Sequence, residues 1–212
     1  MAETTSLLTD LGRAPGAAMK QVRRVAATAY YRRYFRSRPD HPALDPVRAA
    51  RAVRDADSLL FCCWGNICRS PMAARRFREL IEGSGRLDLA VGSAGLGERS
   101  GRPSPPNAVE VAARYGVDLA QHSSRCATAR TLAESDVTFV MDFHTYHLFR
   151  RRHPDPDPEG VFFLSAFTPG GVEIADPAGE SRHTFERVYA RLATATDRLA
   201  AAATGAQSPA RV

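Results

Sequence analysis

Lysine is nearly absent. Of 29 basic residues only Lys20 is one, so the positive charge is carried almost entirely by guanidinium forks. Long apolar runs are missing too, so no helical membrane span is expected. The N-terminus has no apolar signal-peptide centre, and a cytoplasmic location is expected. Cysteine is scarce and unevenly placed: Cys62, Cys63 and Cys68 crowd together, while Cys126 stands alone. That spacing is no disulfide framework. In a reducing compartment such thiols are read as catalytic, metal-binding or redox-active. No internal repeat and no metal-finger pattern is present, and tryptophan occurs once, as Trp64.

What is there suits one sizeable core with a modest appendage: 212 residues, 44% hydrophobic and 25% charged. The net charge of +6 is lopsided, because residues 1–57 hold eleven Arg/Lys against six Asp/Glu and the remainder is nearly neutral. The basic character belongs to the N-terminal segment and is no general nucleic-acid signature, so no nucleic-acid partner is expected.

Periodicity divides the chain into alternating elements. Met19, Val22, Ala26, Ala29 and Tyr30 recur at helical spacing from Gly16 to about Phe35. "SRPDHP" (37–42) breaks that pattern, and Asp45-Pro46 starts another helix. "SLLFCC" (58–63) reads as a buried strand and "SPMAARRFRELIEG" (70–83) as a helix. Strands follow at 87–95, 136–142 and 161–167, with helices at 105–116, 127–135, 144–152 and about 181–203. The expected fold is α/β: a four-stranded parallel sheet with helices on both faces, a phosphate loop after the first strand, and an N-terminal helical extension. The expected division is a basic, mostly helical extension over 1–57, one domain over 58–204, and a flexible tail over 205–212. In such sheets the ligand site lies beyond the carboxyl ends of the strands.

The loop between the first strand and its helix sits at that edge. Its backbone N–H groups and the helix N-terminus form an anion cradle. Gly65 is expected to allow positive φ and close approach of a ligand. Arg69 offers a planar fork for two oxyanion oxygens. The same positive surroundings favour the thiolate of Cys63, the nucleophilic form. A thiolate beneath a phosphate cradle points to phosphoryl transfer through a phosphocysteine. Cys-x5-Arg alone is weak evidence, since four cysteines among so many arginines give roughly half a match by chance. The string "CWGNICRSP" in a strand–loop–helix setting is far more specific.

That string resembles the phosphate loop of the low-molecular-weight protein tyrosine phosphatases, C-x-G-N-x-C-R-S-P. The resemblance continues through "GSAGL" (92–96), "GVDLAQHSSR" (116–125), "DVTFVMD" (136–142) and "DP" (176–177), and covers about residues 58–204. It implies that Cys63 is the nucleophile and Arg69 the phosphate clamp, within a loop of Trp64, Gly65, Asn66, Ile67, Cys68, Arg69 and Ser70. The Ser70 hydroxyl would bond the thiolate. Asn66, supported by Ser93 and His122, would hold the loop in shape. Cys68 would trap oxidised Cys63 as a reversible disulfide. Neither a metal nor an organic cofactor is implied. The partner would be a phosphotyrosine-bearing protein, a bacterial tyrosine kinase among the candidates.

The reaction needs an acid for the leaving phenolate and later a base for water. Asp45, Asp155, Asp157 and Asp176 each precede a proline, which commonly marks only a turn. Asp45 opens an N-terminal helix, while Asp155 and Asp157 precede the last strand. Asp176 alone follows that strand toward the Cys63 edge, and its family position agrees. Other residues have plainer readings: Cys62 as a strand residue, Cys126 as structural, Asn66 as a turn residue, Ser70 as a helix cap. "AYYRRYFR" (29–36) leaves three readings open: a membrane-surface patch, a partner-binding helix, or a helix capping the core. The chain also departs from the family. Ala178 and Gly179 replace the aromatics usual after Asp-Pro, and "GLGERSGRPS" (95–104) lacks the usual Trp and His. Trp64 is either a substitute stacking wall or filler. Two alternatives stand beside the phosphatase reading: a thiol-dependent arsenate reductase of the same fold, and a phosphate-binding module without turnover.

Overall fold

A computed structural model of the chain describes residues 15–84, 88–97, 99–153, 155 and 159–205. Four strands, β1 (Ser58–Cys63), β2 (Ala90–Gly95), β3 (Val137–Val140) and β4 (Val161–Phe163), form one sheet in the order β2-β1-β3-β4. Every pairing is parallel, with Leu60 opposite Gly92 on one side and Thr138 on the other. β1 is an unbroken apolar run because both of its faces are covered. Its side chains alternate accordingly. Leu59, Phe61 and Cys63 enter one core with Phe77, Phe139, Phe162 and Tyr189, whereas Leu60 and Cys62 enter the other with Val140, Tyr146 and Phe163.

Helices α2 (Pro46–Asp55), α3 (Arg69–Glu82), α4 (Pro106–Ala113) and α7 (Arg182–Thr204) contribute to the first core. Helices α1 (Pro15–Arg36), α5 (Ala129–Ala133) and α6 (Phe143–Arg152) contribute to the second. Helix starts follow local chemistry. Asp45 Oδ1 accepts from the N–H groups of Val47 and Arg48 at 2.8 and 3.2 Å, with Pro46 in the first turn. Asp142 caps α6 in a reciprocal box with Thr145. α3 differs: Cys68 is its N-cap and makes no side-chain capping bond, which leaves first-turn N–H groups for another acceptor.

The expected strand at 161–167 ends early. Pairing with β3 stops at Phe163, the chain coils through a 3₁₀ turn at Leu164–Phe167, and Ser165 Oγ donates to the Val172 carbonyl at 2.6 Å. This bend sends the 168–176 loop back across the carboxyl edge of the sheet. Asp157 lies outside the described residues.

The N-terminal segment is built into both cores. Phe35 is buried, stacks on Phe143 at 5.6 Å and meets Phe163 edge-on at 5.0 Å. Ala49, Ala50 and Val53 of α2 are buried in the first core. The inner face of α1 therefore caps the core, while Val22, Val25 and Tyr30 stay about 60% exposed on its outer side. Among the described residues no helix is long and apolar enough to cross a membrane.

Candidate active site

Successive crossovers leave β1 toward β2 and return to β3 on its other side. The sheet's topological switch point therefore lies between the carboxyl ends of β1 and β3, where a ligand crevice forms. Cys63 ends β1 there, and Asp142 follows β3 there.

The loop from Cys63 to Arg69 is held from its middle by Asn66. Asn66 is buried and is the one non-glycine described residue with positive φ, 51°. That conformation is mildly costly for a residue with a Cβ, and five contacts hold it. Its Nδ2 donates to Ser70 Oγ and Ser93 Oγ, both at 2.9 Å. Its Oδ1 accepts from Arg125 N at 2.9 Å. Its carbonyl accepts from His122 Nε2 at 2.6 Å, which places the histidine proton on Nε2. Its own N–H donates to Cys63 Sγ at 3.2 Å.

Ser70 Oγ, which accepts from Asn66, lies 3.1 Å from Cys63 Sγ and 3.5 Å from the Ala94 carbonyl, so its hydroxyl proton can turn to a thiolate at Cys63. The sulfur thus lies within hydrogen-bond reach of two groups of the loop, Asn66 N and Ser70 Oγ. Gly65 does not take positive φ as expected; the left-handed position passes to Asn66. Gly65 instead lies under the Arg102 fork: a Cβ there would come within 2.7 Å of Arg102 Nη2 and displace that side chain. Burial pushes the Cys62 and Cys68 thiols well above their ordinary pKa. All four cysteines are free.

Arg69 is fully buried and held by two carboxylates. Nη1 meets Asp142 at 2.5 Å and the Ile174 carbonyl at 3.0 Å, and Nη2 meets Asp176 at 2.9 Å. Burial alone would lower its pKa, but Asp142, Asp176 and Cys63 outweigh that and keep it charged. Nε is buried without a hydrogen-bond partner among the described residues, a donor turned to no protein acceptor. Burial pushes the Asp142 carboxyl up, yet Arg69 and the Thr145 N–H hold it net below the usual carboxylate range.

The aspartate–proline candidates separate as their chain positions imply. Asp45 caps α2, and Asp155, before β4, donates its N–H to His153. Asp176 reaches Arg69. Beside the loop, the half-exposed Trp64 ring faces the Arg102 guanidinium at 5.8 Å, and Arg102 Nη2 donates to the Gly65 carbonyl at 3.0 Å. Three residues at the site escaped sequence reasoning. Asp142 carried a signal, an acid just past a central strand on the Cys63 edge. Tyr189, whose hydroxyl donates to the Cys68 carbonyl at 3.1 Å, carried none beyond helical periodicity. Arg102 carried none.

The family model for Low molecular weight phosphotyrosine protein phosphatase matches residues 58–208. The chain belongs to this family. It is 34% identical over 140 residues to a probable low molecular weight protein-tyrosine-phosphatase, EpsP, of Ralstonia nicotianae, spanning 66% of this chain and 91% of that protein. Among solved structures, the tyrosine phosphatase Wzb of Escherichia coli K30 in complex with sulphate is similar, with a TM-score of 0.62, 29% identity, and coverage of 68% and 96%. A YwlE arginine phosphatase, a mutant with a phosphorylated active site serine, is also similar, with a TM-score of 0.59, 27% identity, and coverage of 68% and 93%. Membership in this family makes the chain a cysteine-dependent protein-tyrosine phosphatase, a hydrolase. The four-stranded parallel sheet is the family fold.

Proposed function

We propose that the chain hydrolyses phosphotyrosine on protein substrates through a phosphocysteine on Cys63. The observation that carries this assignment is one cluster: Cys63 Sγ bonded by Ser70 Oγ and Asn66 N, beside an Arg69 fork already paired to two carboxylates. Cys63 Sγ attacks phosphorus in line with the tyrosine oxygen while Arg69 and the loop N–H groups from Trp64 to Ser70 take the charge on the other oxygens. The bond from phosphorus to the tyrosine oxygen breaks, and the Asp176 carboxyl gives its proton to the leaving oxygen. Water then attacks the phosphocysteine, Asp176 takes a proton from it, and the sulfur–phosphorus bond breaks to release inorganic phosphate and the thiolate.

Two carboxylates meet one guanidinium, and the roles divide by environment. Asp142 is held ionised and also caps α6, which suits it to orienting Arg69. Asp176 is the more exposed, on a loop free of such caps, which suits it to exchanging protons. Trp64, half-exposed at the mouth, favours an aromatic substituent over an aliphatic one. A bacterial tyrosine kinase is the first partner to test.

The test is hydrolysis of para-nitrophenyl phosphate and of paired phosphotyrosine and phosphoarginine peptides, in chelator. Cys63→Ser should abolish turnover, and Asp176→Ala should lower kcat about 10²–10⁴-fold. Phosphotyrosine should be the better peptide. Turnover that survives Cys63→Ser contradicts the reading.

A further inference from the structure

Behind the loop, on the side of Asn66 away from Cys63's crevice, a second polar cavity of about 230 Å³ opens between α3, β2 and the 117–128 segment. Its cationic lining comes from Arg75 and Arg78 of α3 and from His122 and Arg125 of the segment, with Ser93, Gln121 and Ser123 between them. No carboxylate lines it. The arginines contrast with their neighbours. Arg76 pairs with Asp197, Arg114 with Glu186, and Arg69 with two aspartates. Among the described residues, Arg75, Arg78 and Arg125 form no ion pair with a carboxylate. Arg75 and Arg78 each commit one donor to a backbone carbonyl, of Asp118 and Val91 respectively. Those bonds fix the guanidinium directions and leave further donors on each fork. Like charges gathered at one small polar cavity repel, and an anion would relieve that repulsion.

We propose that this cavity is a second anion site, separate from the catalytic crevice, that takes one tetrahedral dianion, a phosphate or sulfate group. Two sources share that chemistry: free inorganic phosphate, and a phosphorylated side chain on a protein. The site bears on the loop through Asn66, because three of its lining residues bond it directly. Ser93 accepts from its amide, His122 donates to its carbonyl, and Arg125 N donates to its Oδ1. His122 has Nε2 committed to that carbonyl, so an anion reaching the ring bonds Nδ1 only when that nitrogen carries a proton. Burial, with smaller help from Arg75 and Arg125, holds the imidazole below its ordinary pKa against the opposing pull of the Asn66 carbonyl. Arg78 is the remaining charge facing the cavity, and Asp118 presents only its backbone carbonyl to Arg75. Anion binding should therefore tighten as pH falls, since protonation of His122 adds an Nδ1 donor and a positive charge to the cavity.

Isothermal titration with sulfate, which stays a dianion throughout, tests this on the full chain between pH 5.5 and 7.5. Wild type should bind two sulfates. Arg69→Met should remove one and leave the other, whether or not Cys63 is the nucleophile. Arg75→Gln with Arg125→Gln should weaken that other site about tenfold or more, the worth of a lost charge-assisted pair, and leave the Arg69-dependent event in place. The remaining site should bind more tightly at pH 5.5 than at 7.5, and His122→Gln should abolish that pH dependence. A phosphoserine peptide that binds the Arg69→Met protein, with loss in the double variant, assigns the site to phosphorylated proteins. Sulfate binding without peptide binding assigns it to the free ion. A single sulfate event removed by Arg69→Met, or a second event untouched by the double variant, overturns the proposal.

Discussion

At the scale of single residues, the site is a division of hydrogen bonds among few donors. Asn66 donates one amide N–H to Ser70 Oγ, which in turn lies 3.1 Å from Cys63 Sγ. Arg69 is as dependent on its neighbours. Removing the Asp142 charge would leave a buried guanidinium with one carboxylate, while an asparagine oxygen could still cap α6. Asp142→Asn is expected to cost about 3 kcal/mol of stability, the scale of a broken buried pair, and to lower kcat/KM while leaving the acid in place. Urea unfolding and steady-state kinetics on the same preparation check both. Asp176→Asn should lower kcat with little loss of stability, because its carboxylate is partly exposed. The string 63–71 made Cys63, Arg69, Ser70 and Asn66 legible, because chemistry that needs a thiolate beneath a cradle restricts each position. Asp142 stayed hidden because its partner is 73 residues away, and only the order of β1 and β3 brings them together.

Elements were legible where periodicity and punctuation agree. The Asp-Pro start of α2, the Gly-terminated helices and the apolar β1 all fall within a few residues of expectation. β4 did not, because its end is set by the length of β3 and by the Ser165–Val172 bond, neither of which is a local signal. The role of α1 was open among three readings, of which capping the core is the one the buried Phe35 bears out. Its helical spacing is plain, but which face it buries depends on the aromatic wall of α6 and β4. That wall makes α1 structural: Phe35 meets Phe143, Tyr146 and Phe163. Phe35→Ala is expected to destabilise the protein by about 3–5 kcal/mol, measured by denaturant unfolding, with kcat of the surviving folded fraction unchanged. A loss of kcat without a loss of stability would instead make α1 part of the catalytic surface. Arg32 on the same helix reaches Glu173, in the loop that carries Asp176, at 2.7 Å. Arg191 of α7 holds that loop from the other side through the Glu173 carbonyl at 2.8 Å.

For the whole molecule, the histidines make stability depend on mild acid. His144 has its Nδ1 buried without a hydrogen-bond partner among the described residues, and burial, with Arg24 nearby, pushes its pKa down to about 4. Burial also lowers His122 and His147. The unfolded chain takes up imidazole protons near pH 6.5, before the folded chain does. Stability is therefore expected to be full above about pH 6.5 and to fall as pH drops toward about 4. His144→Gln should flatten that slope in urea titrations at successive pH values. A slope unchanged by the substitution would assign the acid sensitivity elsewhere. The depressed Asp142 acts in a lower window: it protonates only below the usual carboxylate range, and its contribution is lost there.

The central claim is a covalent bond between Cys63 and phosphorus. The most direct measurement is acid quenching of the protein within its first turnover on a phosphotyrosine peptide, followed by peptide mass spectrometry. Wild type is the protein to quench, because Asp176→Ala slows formation of the intermediate on phosphotyrosine as well as its hydrolysis. The expected result is one phosphoryl group on the peptide that holds Cys63, absent from Cys63→Ser protein treated identically. Turnover with no phosphoryl group on Cys63 at any quench time, or a phosphoryl group on another residue, would contradict the account.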